Sequence, residues 1–264
     1  MEIGHLLDQL KIRLIRSIFI MILYDSDLKI FYSTLINDDN FFSGFGTKDL
    51  GDGRNIDTTI NFVQKNIPNF KTIVIPEQIH STNVTVFNSN LIDNVEKITE
   101  TDGVITDDEK SILTIITADC CPIMFVEKRQ GIVGISHQGW RGSVKRLGQK
   151  MVKKIIELGG KKENIIVAIG PTIGGCCYDI DDERYFEFLE EFDGYASKIF
   201  HRHMGKLHLN LALLNYLQIK ELGISEKNID HFPFCTSCDK KRFFSFRRDK
   251  KQDYGEMLSF ICII

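Results

Sequence analysis

The sequence has no surplus of positive charge, and this absence narrows the class of partner. Its 264 residues carry 33 lysines and arginines against 36 aspartates and glutamates, which gives a formal net charge of -3 and a pI near 6.2. Proteins that bind nucleic acid usually carry a clear basic surplus, because they neutralise phosphate groups. We therefore expect a small-molecule substrate and no nucleic-acid partner.

The chain also lacks an uncharged apolar run of about 20 residues, the length needed to cross a bilayer. The apolar stretch from Leu10 to Leu23 is interrupted by charges in its first half, and its uncharged part ends at Asp25. Charges followed by apolar residues imitate a signal peptide, but no small-residue cleavage site follows. We expect a local helix or strand here and no membrane partner.

A disulfide framework is missing as well. The seven cysteines are an odd number, and four of them form the adjacent pairs Cys120-Cys121 and Cys176-Cys177. Disulfide-rich secreted domains instead space an even number of cysteines along a short chain. The pattern favours a reducing, cytoplasmic location.

No internal repeat, low-complexity tract or linker divides the chain, and 43% hydrophobic residues suffice for a sizeable core. Turn-forming residues predict a long loop over 37–55. Short apolar or alternating runs predict strands, and helical spacing predicts helices. The strands are expected at Thr72–Ile75, Val84–Phe87, Ser111–Ile116, Ile123–Val126, Gly131–Ser136 and Ile165–Ile169, and the helices at Ile56–Asn66, Ser143–Leu158, Asp182–Phe192 and Leu211–Leu222. The mixture predicts an α+β fold of one domain, with mixed sheets packed inside helices.

Three separated segments each offer one metal ligand. His80 lies in a predicted loop, Cys120 follows a predicted strand, and His137 ends another. Three protein ligands leave a tetrahedral zinc with an open fourth position, which is the arrangement of a catalytic site. Because the ligands stand where strands meet loops, the sheet can hold them rigidly while the loops admit a substrate.

Polar residues near these ligands suggest further roles. Asp119 is costly to bury without a partner, so we expect it to orient a ligand or move a proton. Arg141 follows the only tryptophan in a glycine-flanked turn that could receive an anion. Arg247 and Arg248 are further candidates for binding phosphate, although such a pair is more commonly an ion-paired edge.

Two glycine- or cysteine-rich segments resist assignment. The loop after Ile169 contains Gly170, Gly174 and Gly175, but it lacks the lysine of a P-loop. Cys235 and Cys238 form a single Cys-x-x-Cys, and a ribbon-type zinc site needs a second pair. Cys176-Cys177 makes a poor second pair because its members are adjacent, so ordinary burial is the simpler expectation.

Taken together, the segments resemble the YfiH or laccase-domain family, formerly called multicopper polyphenol oxidases and now described as purine nucleoside phosphorylases, with some members described as peptidoglycan editing factors. The resemblance runs from about Ile30 to the C-terminus. It rests on the ordered set Gln78-Ile79-His80, Thr117-Ala118-Asp119-Cys120-Cys121-Pro122, His137-Gln138-Gly139-Trp140-Arg141-Gly142, Ile169-Gly170-Pro171, Tyr178-Asp179-Ile180 and Phe243-Phe244-Ser245-Phe246-Arg247-Arg248-Asp249.

The resemblance implies a single domain over 30–264, preceded by an extension and first element over 1–29. It implies zinc held by His80, Cys120 and His137, with copper as the alternative metal. It also implies a purine nucleoside and inorganic phosphate as partners, phosphorolysis of adenosine, inosine and methylthioadenosine, and a side activity of adenosine deamination. A homodimer is left open. Ser33-Thr34-Leu35 departs from the family's Thr-Arg segment, and Gln138 replaces a small residue.

Three other functions compete with phosphorolysis. A cysteine hydrolase or amidase acting on peptidoglycan precursors would use Cys120 as nucleophile and a histidine as base. Copper-dependent phenol oxidation is the family's older assignment, but one His/Cys/His site does not supply several coppers. The third alternative is a metal-binding module without catalysis, which would not need an open coordination position.

Overall fold

The computed structural model describes residues 22–67, 69–88, 95–249 and 254–264. Most of the apolar N-terminal stretch, and with it most of the predicted extension, lies outside the described residues. Its last two residues, Ile22 and Leu23, begin the first strand. Within the described ranges, no helix has the length and apolar character of a membrane span.

Runs of consecutive strands are separated by helices along the chain. The strands are β1 (Ile22–Asp25), β2 (Ile30–Ser33), β3 (Phe41–Gly46), β4 (Thr72–Pro76), β5 (Val84–Val86), β6 (Val95–Ile98), β7 (Gly103–Thr106), β8 (Ser111–Thr117), β9 (Cys121–Glu127), β10 (Ile132–Gln138), β11 (Ile165–Ile169), β12 (Asp179–Ile180), β13 (Phe200–His203), β14 (Lys206–Leu209), β15 (Ile229–His231) and β16 (Met257–Ile263). The α-helices are α1 (Ile56–Asn66), α2 (Trp140–Val144), α3 (Leu147–Glu157), α4 (Asp182–Phe192), α5 (Ala196–Ile199), α6 (Leu211–Glu221) and α7 (Phe246–Asp249).

Two mixed sheets form the centre of the protein. The first has seven strands in the order β1-β2-β3-β16-β8-β4-β6, and the second has six in the order β15-β11-β9-β10-β7-β5. A small sheet, β12-β14-β13, stands apart from both. Antiparallel pairs predominate, but β4 runs parallel to β6 and β8, β5 runs parallel to β7, and β11 runs parallel to β15.

Three apolar clusters hold the layers together. Between the two sheets, buried residues of β8 such as Leu113 pack with residues of β9 and β10 such as Met124 and Ile135. The outer face of the six-stranded sheet packs on α3, α4 and α6. The outer face of the seven-stranded sheet packs on α1 through Phe62 and Val63. The layers therefore run helix, sheet, sheet, helix, and the predicted α+β fold is confirmed.

The loop predicted over 37–55 is partly wrong, because Phe41–Gly46 forms β3. This strand pairs with β16 at the other end of the chain, so its pairing is a long-range contact that local composition does not show. The glycines that suggested a loop allow close packing instead. A Cβ on Gly44 would lie 2.8 Å from the Phe260 ring.

The helix predicted over Ser143–Leu158 is two helices. Lys145 caps α2, and Arg146 adopts a left-handed conformation with φ of 60°, which breaks the helical path before α3 begins. The predicted apolar face survives within α3, where Leu147, Met151 and Ile155 are fully buried. The other predicted helices and strands agree with the structure to within two residues at each end.

Candidate functional site

The structure brings the three predicted ligands together. His80 lies in the loop after β4, Cys120 joins β8 to β9, and His137 stands near the end of β10. One ligand atom from each residue lies within 4.8 Å of the other two. Cys120 Sγ is 3.9 Å from His80 Nε2, and the two imidazole rings stand edge to face with centroids 4.7 Å apart.

The donor set fits a borderline metal ion. Zinc bonds of about 2.0–2.3 Å in a tetrahedron place ligand atoms about 3.3–3.8 Å from one another, so small side-chain movements would bring these three atoms to bonding positions. Two imidazole nitrogens and one thiolate suit zinc, and they also suit copper. Three ligands leave one coordination position free for a small molecule.

Asp102, which the sequence analysis missed, organises two of the ligands. Its buried carboxylate accepts hydrogen bonds from the backbone N–H groups of Ile79, His80 and Ser81 at 3.2, 3.1 and 2.6 Å. The Ser81 hydroxyl adds a fourth bond at 2.7 Å. These bonds hold His80 in a left-handed conformation with φ of 60°.

Asp102 also orients His137. Its Oδ1 lies 2.8 Å from His137 Nδ1, so this nitrogen carries the proton and Nε2 is left to face the ligand cluster. Burial alone would raise the pKa of Asp102, but the hydrogen bonds from His137 and Ser81 outweigh burial and hold the pKa below its ordinary value. The carboxylate is therefore charged near neutral pH and stabilises the loop that carries His80.

Without a metal, Cys120 and His137 form a charged pair. Burial raises the pKa of the Cys120 thiol, but His137 and His80 lower it by more, to about 7. Burial lowers the pKa of His137, but the Cys120 thiolate and Asp102 raise it to about 10. The thiol therefore ionises readily, and the thiolate is the form that binds metal.

Asp119 lies beside the ligands, and both of its carboxylate oxygens are engaged. Oδ1 accepts a hydrogen bond of 2.6 Å from Thr236 Oγ1. Oδ2 accepts bonds from Ser245 Oγ and from the backbone N–H of Arg247, at 2.9 and 2.6 Å. The carboxylate thus anchors the C-terminal segment to the β8–β9 connection.

A cavity of about 210 Å³ opens on one side of His80 and Cys120. Three arginines, Arg141, Arg184 and Arg247, line it together with Trp140, Tyr178 and Phe246. The guanidinium groups of Arg141 and Arg184 both lie on the Trp140 ring, at 4.4 and 4.9 Å from its centroid. The cavity therefore combines positive charge with aromatic surface.

Arg248 does not line this cavity. Its guanidinium pairs with Asp249 at 2.6 Å and donates to the backbone carbonyls of Thr236, Ser237 and Phe243. These contacts tie Arg248 to the backbone of residues 236–243. Of the predicted phosphate-binding residues, the structure brings Arg141 and Arg247 to the cavity.

A second cavity, of about 340 Å³, shares part of its lining with the first. His80, Cys120 and His137 all line it, along with Gln78, Phe246, Tyr254 and Glu256. Burial raises the pKa of the half-buried Glu256 carboxyl. Because His80 and Cys120 border both cavities, a molecule in either one reaches the candidate metal position.

A match to the sequence model of a known family shows which family the chain belongs to. The model described as multi-copper polyphenol oxidoreductase laccase matches residues 39–264. The chain belongs to this laccase family. The resemblance seen in the sequence is thereby confirmed, although the description of the family names a different chemistry from phosphorolysis.

Three curated relatives of this laccase-family chain carry enzyme names. Purine nucleoside phosphorylase YlmD of Bacillus subtilis is 34% identical over 61% of this chain and 58% of the relative. A purine nucleoside phosphorylase of Clostridium acetobutylicum is 32% identical over 87% of this chain and 95% of the relative. Adenosine deaminase RL5, of an unknown prokaryotic organism, is 30% identical over 79% of this chain and 83% of the relative. The aligned part thus spans less than two thirds of the first of these proteins.

The fold has a solved counterpart. The crystal structure of YlmD from Geobacillus stearothermophilus superposes with a TM-score of 0.77 at 25% identity, covering 92% of this chain and 98% of that one. The helix, sheet, sheet, helix arrangement of this laccase-family chain is therefore that of a known structure.

The residues that sequence reasoning missed share one property. Asp102, Arg184 and Glu256 stand in segments without a recognisable motif and meet the site only through tertiary packing. One signal was available for Asp102. It stands between Thr101 and Gly103 beside a short apolar run, and a carboxylate there is costly to bury unless it has strong partners.

Replacing Gly139 with alanine should weaken metal binding. A Cβ at this position would lie 2.7 Å from His80 Cδ2 and 3.4 Å from Cys120 Sγ, so the His80 ring would have to move. We expect about 10-fold weaker zinc affinity, measured by competition with a chelating dye. Gly142→Ala is the control, because its Cβ would meet no atom closer than 3.4 Å. Equal zinc affinity in both variants would contradict this account of Gly139.

Proposed function

We propose that this protein is a zinc-dependent purine nucleoside phosphorylase. It cleaves adenosine, inosine and methylthioadenosine with inorganic phosphate, and it releases the free base and the sugar 1-phosphate. The observation that carries the proposal is the position of the His80, Cys120 and His137 cluster beside a cavity lined by three arginines. The names of the Bacillus and Clostridium relatives support it.

The arginine-lined cavity suits inorganic phosphate. Guanidinium groups hold phosphate through paired, charge-assisted hydrogen bonds. Arg247 pairs with Asp179, which fixes its direction, and Arg184 has a buried Nε without a hydrogen-bond partner among the residues that the structure describes. A buried donor without an acceptor is costly, so an anion there would stabilise the site.

The main task of the protein in this reaction is to position phosphate against the nucleoside. Phosphate must stand beside the sugar C1′ while the bond from C1′ to the purine nitrogen breaks and its electron pair leaves with the base. Arg141, Arg184 and Arg247 hold the phosphate and balance its charge, and Asp119 holds the backbone of Arg247 in place. The larger cavity, which shares His80 and Cys120 with the first, takes the nucleoside, and Phe246 and Tyr254 offer aromatic surface there.

A side activity of adenosine deamination follows from the same site. Zinc, when bound, lowers the pKa of water and makes it a nucleophile near neutral pH, which is the chemistry that deamination needs. The name of the relative RL5 supports this activity. Asp102 would keep His137 in the tautomer that can hold the ion.

Incubation of zinc-loaded protein with adenosine, with and without phosphate, tests the function. We expect adenine and ribose 1-phosphate only when phosphate is present, and a smaller amount of inosine in both samples. Adenine release that ignores phosphate would indicate a hydrolase, and inosine as the sole product would indicate a deaminase. Either result would contradict the proposal.

Arg141→Ala should raise the KM for phosphate about 10- to 100-fold, because it removes a charged hydrogen-bond donor worth about 1.5–3 kcal/mol. The KM for adenosine should change much less, since the nucleoside occupies the other cavity. Arg129→Ala, which removes an exposed arginine on the β9–β10 hairpin, is the matched control. Initial rates over a matrix of both substrates supply the constants. Equal increases in both KM values would contradict the placement of phosphate.

The charged pair of Cys120 and His137 favours one second candidate, a cysteine hydrolase acting on peptidoglycan precursors. A thiolate bound to zinc is a poor free nucleophile, so the two functions exclude each other at this residue. Rapid alkylation of Cys120 by iodoacetamide in zinc-loaded protein would favour the hydrolase. Protection of Cys120 by one equivalent of zinc would favour the phosphorylase.

Phenol oxidation has less support. Among the residues that the structure describes, the candidate metal clusters are one His/Cys/His set and one set of four cysteines. Oxidation by several coppers needs more histidine-rich sites close to one another. The donor sets therefore favour the phosphorylase.

A further inference from the structure

A cluster of four cysteine side chains forms a second candidate metal site, separate from the His80, Cys120 and His137 cluster. Cys176 and Cys177 stand in the turn after β11, and Cys235 and Cys238 stand in the Cys-x-x-Cys segment after β15. All four Sγ atoms lie within 4.8 Å of one another. Cys238 Sγ is 3.5 Å from that of Cys176 and 3.3 Å from that of Cys177.

These distances match a metal site better than a disulfide. A disulfide bond is about 2.05 Å long. Four thiolates around a tetrahedral zinc, with bonds of about 2.3 Å, lie about 3.8 Å apart. The sulfurs are also poorly explained as core packing, because Cys176 and Cys238 are exposed and the other two are only partly buried.

The backbone explains how adjacent cysteines can both contribute. The N–H groups of Cys177 and Tyr178 both donate to the Gly174 carbonyl, at 2.9 and 3.1 Å, so the chain turns tightly here. In an extended strand the two side chains would point to opposite faces. In this turn both sulfurs reach Cys238.

The two segments are also joined by their backbones. Thr172 forms a β-bridge with Cys235, and the Thr236 N–H donates to the Thr172 carbonyl at 3.1 Å. The Gly174 N–H lies 3.1 Å from Cys235 Sγ and donates to it. An N–H donor of this kind stabilises negative charge on a thiolate, and thiolate is the form that metals bind.

We propose that Cys176, Cys177, Cys235 and Cys238 together bind a second, structural zinc ion. Four protein ligands close the coordination sphere, which is the arrangement of a structural site. The ion would fasten the segment that carries Tyr178 to the segment that carries Thr236, and Thr236 holds Asp119. It would thereby stabilise one wall of the arginine-lined cavity without contacting the substrate.

Zinc content per chain, measured by mass spectrometry of metals after gel filtration, tests the inference. We expect two equivalents in the wild-type protein, one in Cys238→Ser and one in Cys120→Ala. Ser237→Ala changes a neighbour in the same segment and should keep two. Equal zinc content in wild type and Cys238→Ser would overturn the inference. So would disulfide bonds among these cysteines in the freshly purified protein.

Cys120→Ala keeps the inference testable if Cys238→Ser does not fold. Its remaining metal, replaced by cobalt, should show the intense absorption of a four-thiolate site, whereas a variant with no bound metal would overturn the inference. The inference does not depend on the proposed function. A protein with two zinc ions and no phosphorolysis would refute the function alone.

Discussion

Cys120→Ala should lower kcat/KM for phosphorolysis of adenosine at least about 1,000-fold, which corresponds to about 4 kcal/mol of transition-state stabilisation. The variant loses the one sulfur ligand of the His80, Cys120 and His137 cluster, so the zinc bound there should be lost as well. The assay follows adenine and ribose 1-phosphate in parallel with zinc content.

The control for this variant is Cys262→Ala, which removes a buried cysteine from β16, away from both metal clusters. It should keep both the activity and the zinc. Full activity in Cys120→Ala would show that the reaction does not pass through this cluster, whatever the metal content of the variant.

Asp102→Asn should damage the metal centre although it replaces none of the candidate ligands. The substitution puts an N–H₂ group where donors from His137, Ser81 and the backbone of 79–81 now point, so at least one buried donor loses its acceptor. We expect zinc affinity to fall about 10- to 100-fold, as for other residues that support metal ligands. The free energy of unfolding should fall by about 3 kcal/mol.

Chelator competition and urea unfolding measure these two quantities. Asp108→Asn is the matched control. Asp102 precedes β7 and Asp108 follows it, and Asp108 also accepts a hydrogen bond from a serine, Ser111. Asp108 lies outside the candidate metal cluster. The control variant should leave zinc affinity unchanged. Wild-type zinc affinity in Asp102→Asn would contradict the role that we give to the carboxylate.

The structure brings the three candidate metal ligands together, and the places of Cys120 and His137 at strand ends follow from local patterns. Apolar runs end at Thr117 and begin again at Cys121, so Cys120 had to stand where two strands meet. His137 likewise ends a run of alternating residues. In the six-stranded sheet, Gln138 of β10 pairs with Cys121 of β9. His137 and Cys120, the residue before Cys121, therefore come to the same end of this strand pair.

Long-range contacts set the limit of that prediction. Local composition predicts a loop where β3 lies, because only the long-range packing against β16 explains the glycines of this strand. Asp102 and Arg184 carry no motif, and only the assembled fold shows that they meet His137 and Trp140. The roles of both residues depend on distances between separate segments.

The cluster of four cysteines also depends on a contact between distant segments of the chain. From the sequence, Cys176-Cys177 is a poor pair of ligands because its members are adjacent. The turn at Gly174 removes that objection, and the path of the chain brings the Cys-x-x-Cys segment to the turn. A single sequence does not state which distant segments will meet.

The most direct test of the central claim is the recovery of activity when zinc is returned to metal-free protein. The protein is stripped with a chelator under conditions that keep it folded, and adenine release from adenosine and phosphate is followed as zinc is added. We expect almost no phosphorolysis without metal, and activity that rises in proportion to the fraction of Cys120 that the added zinc protects from alkylation. Full phosphorolysis by the metal-free protein would contradict the account.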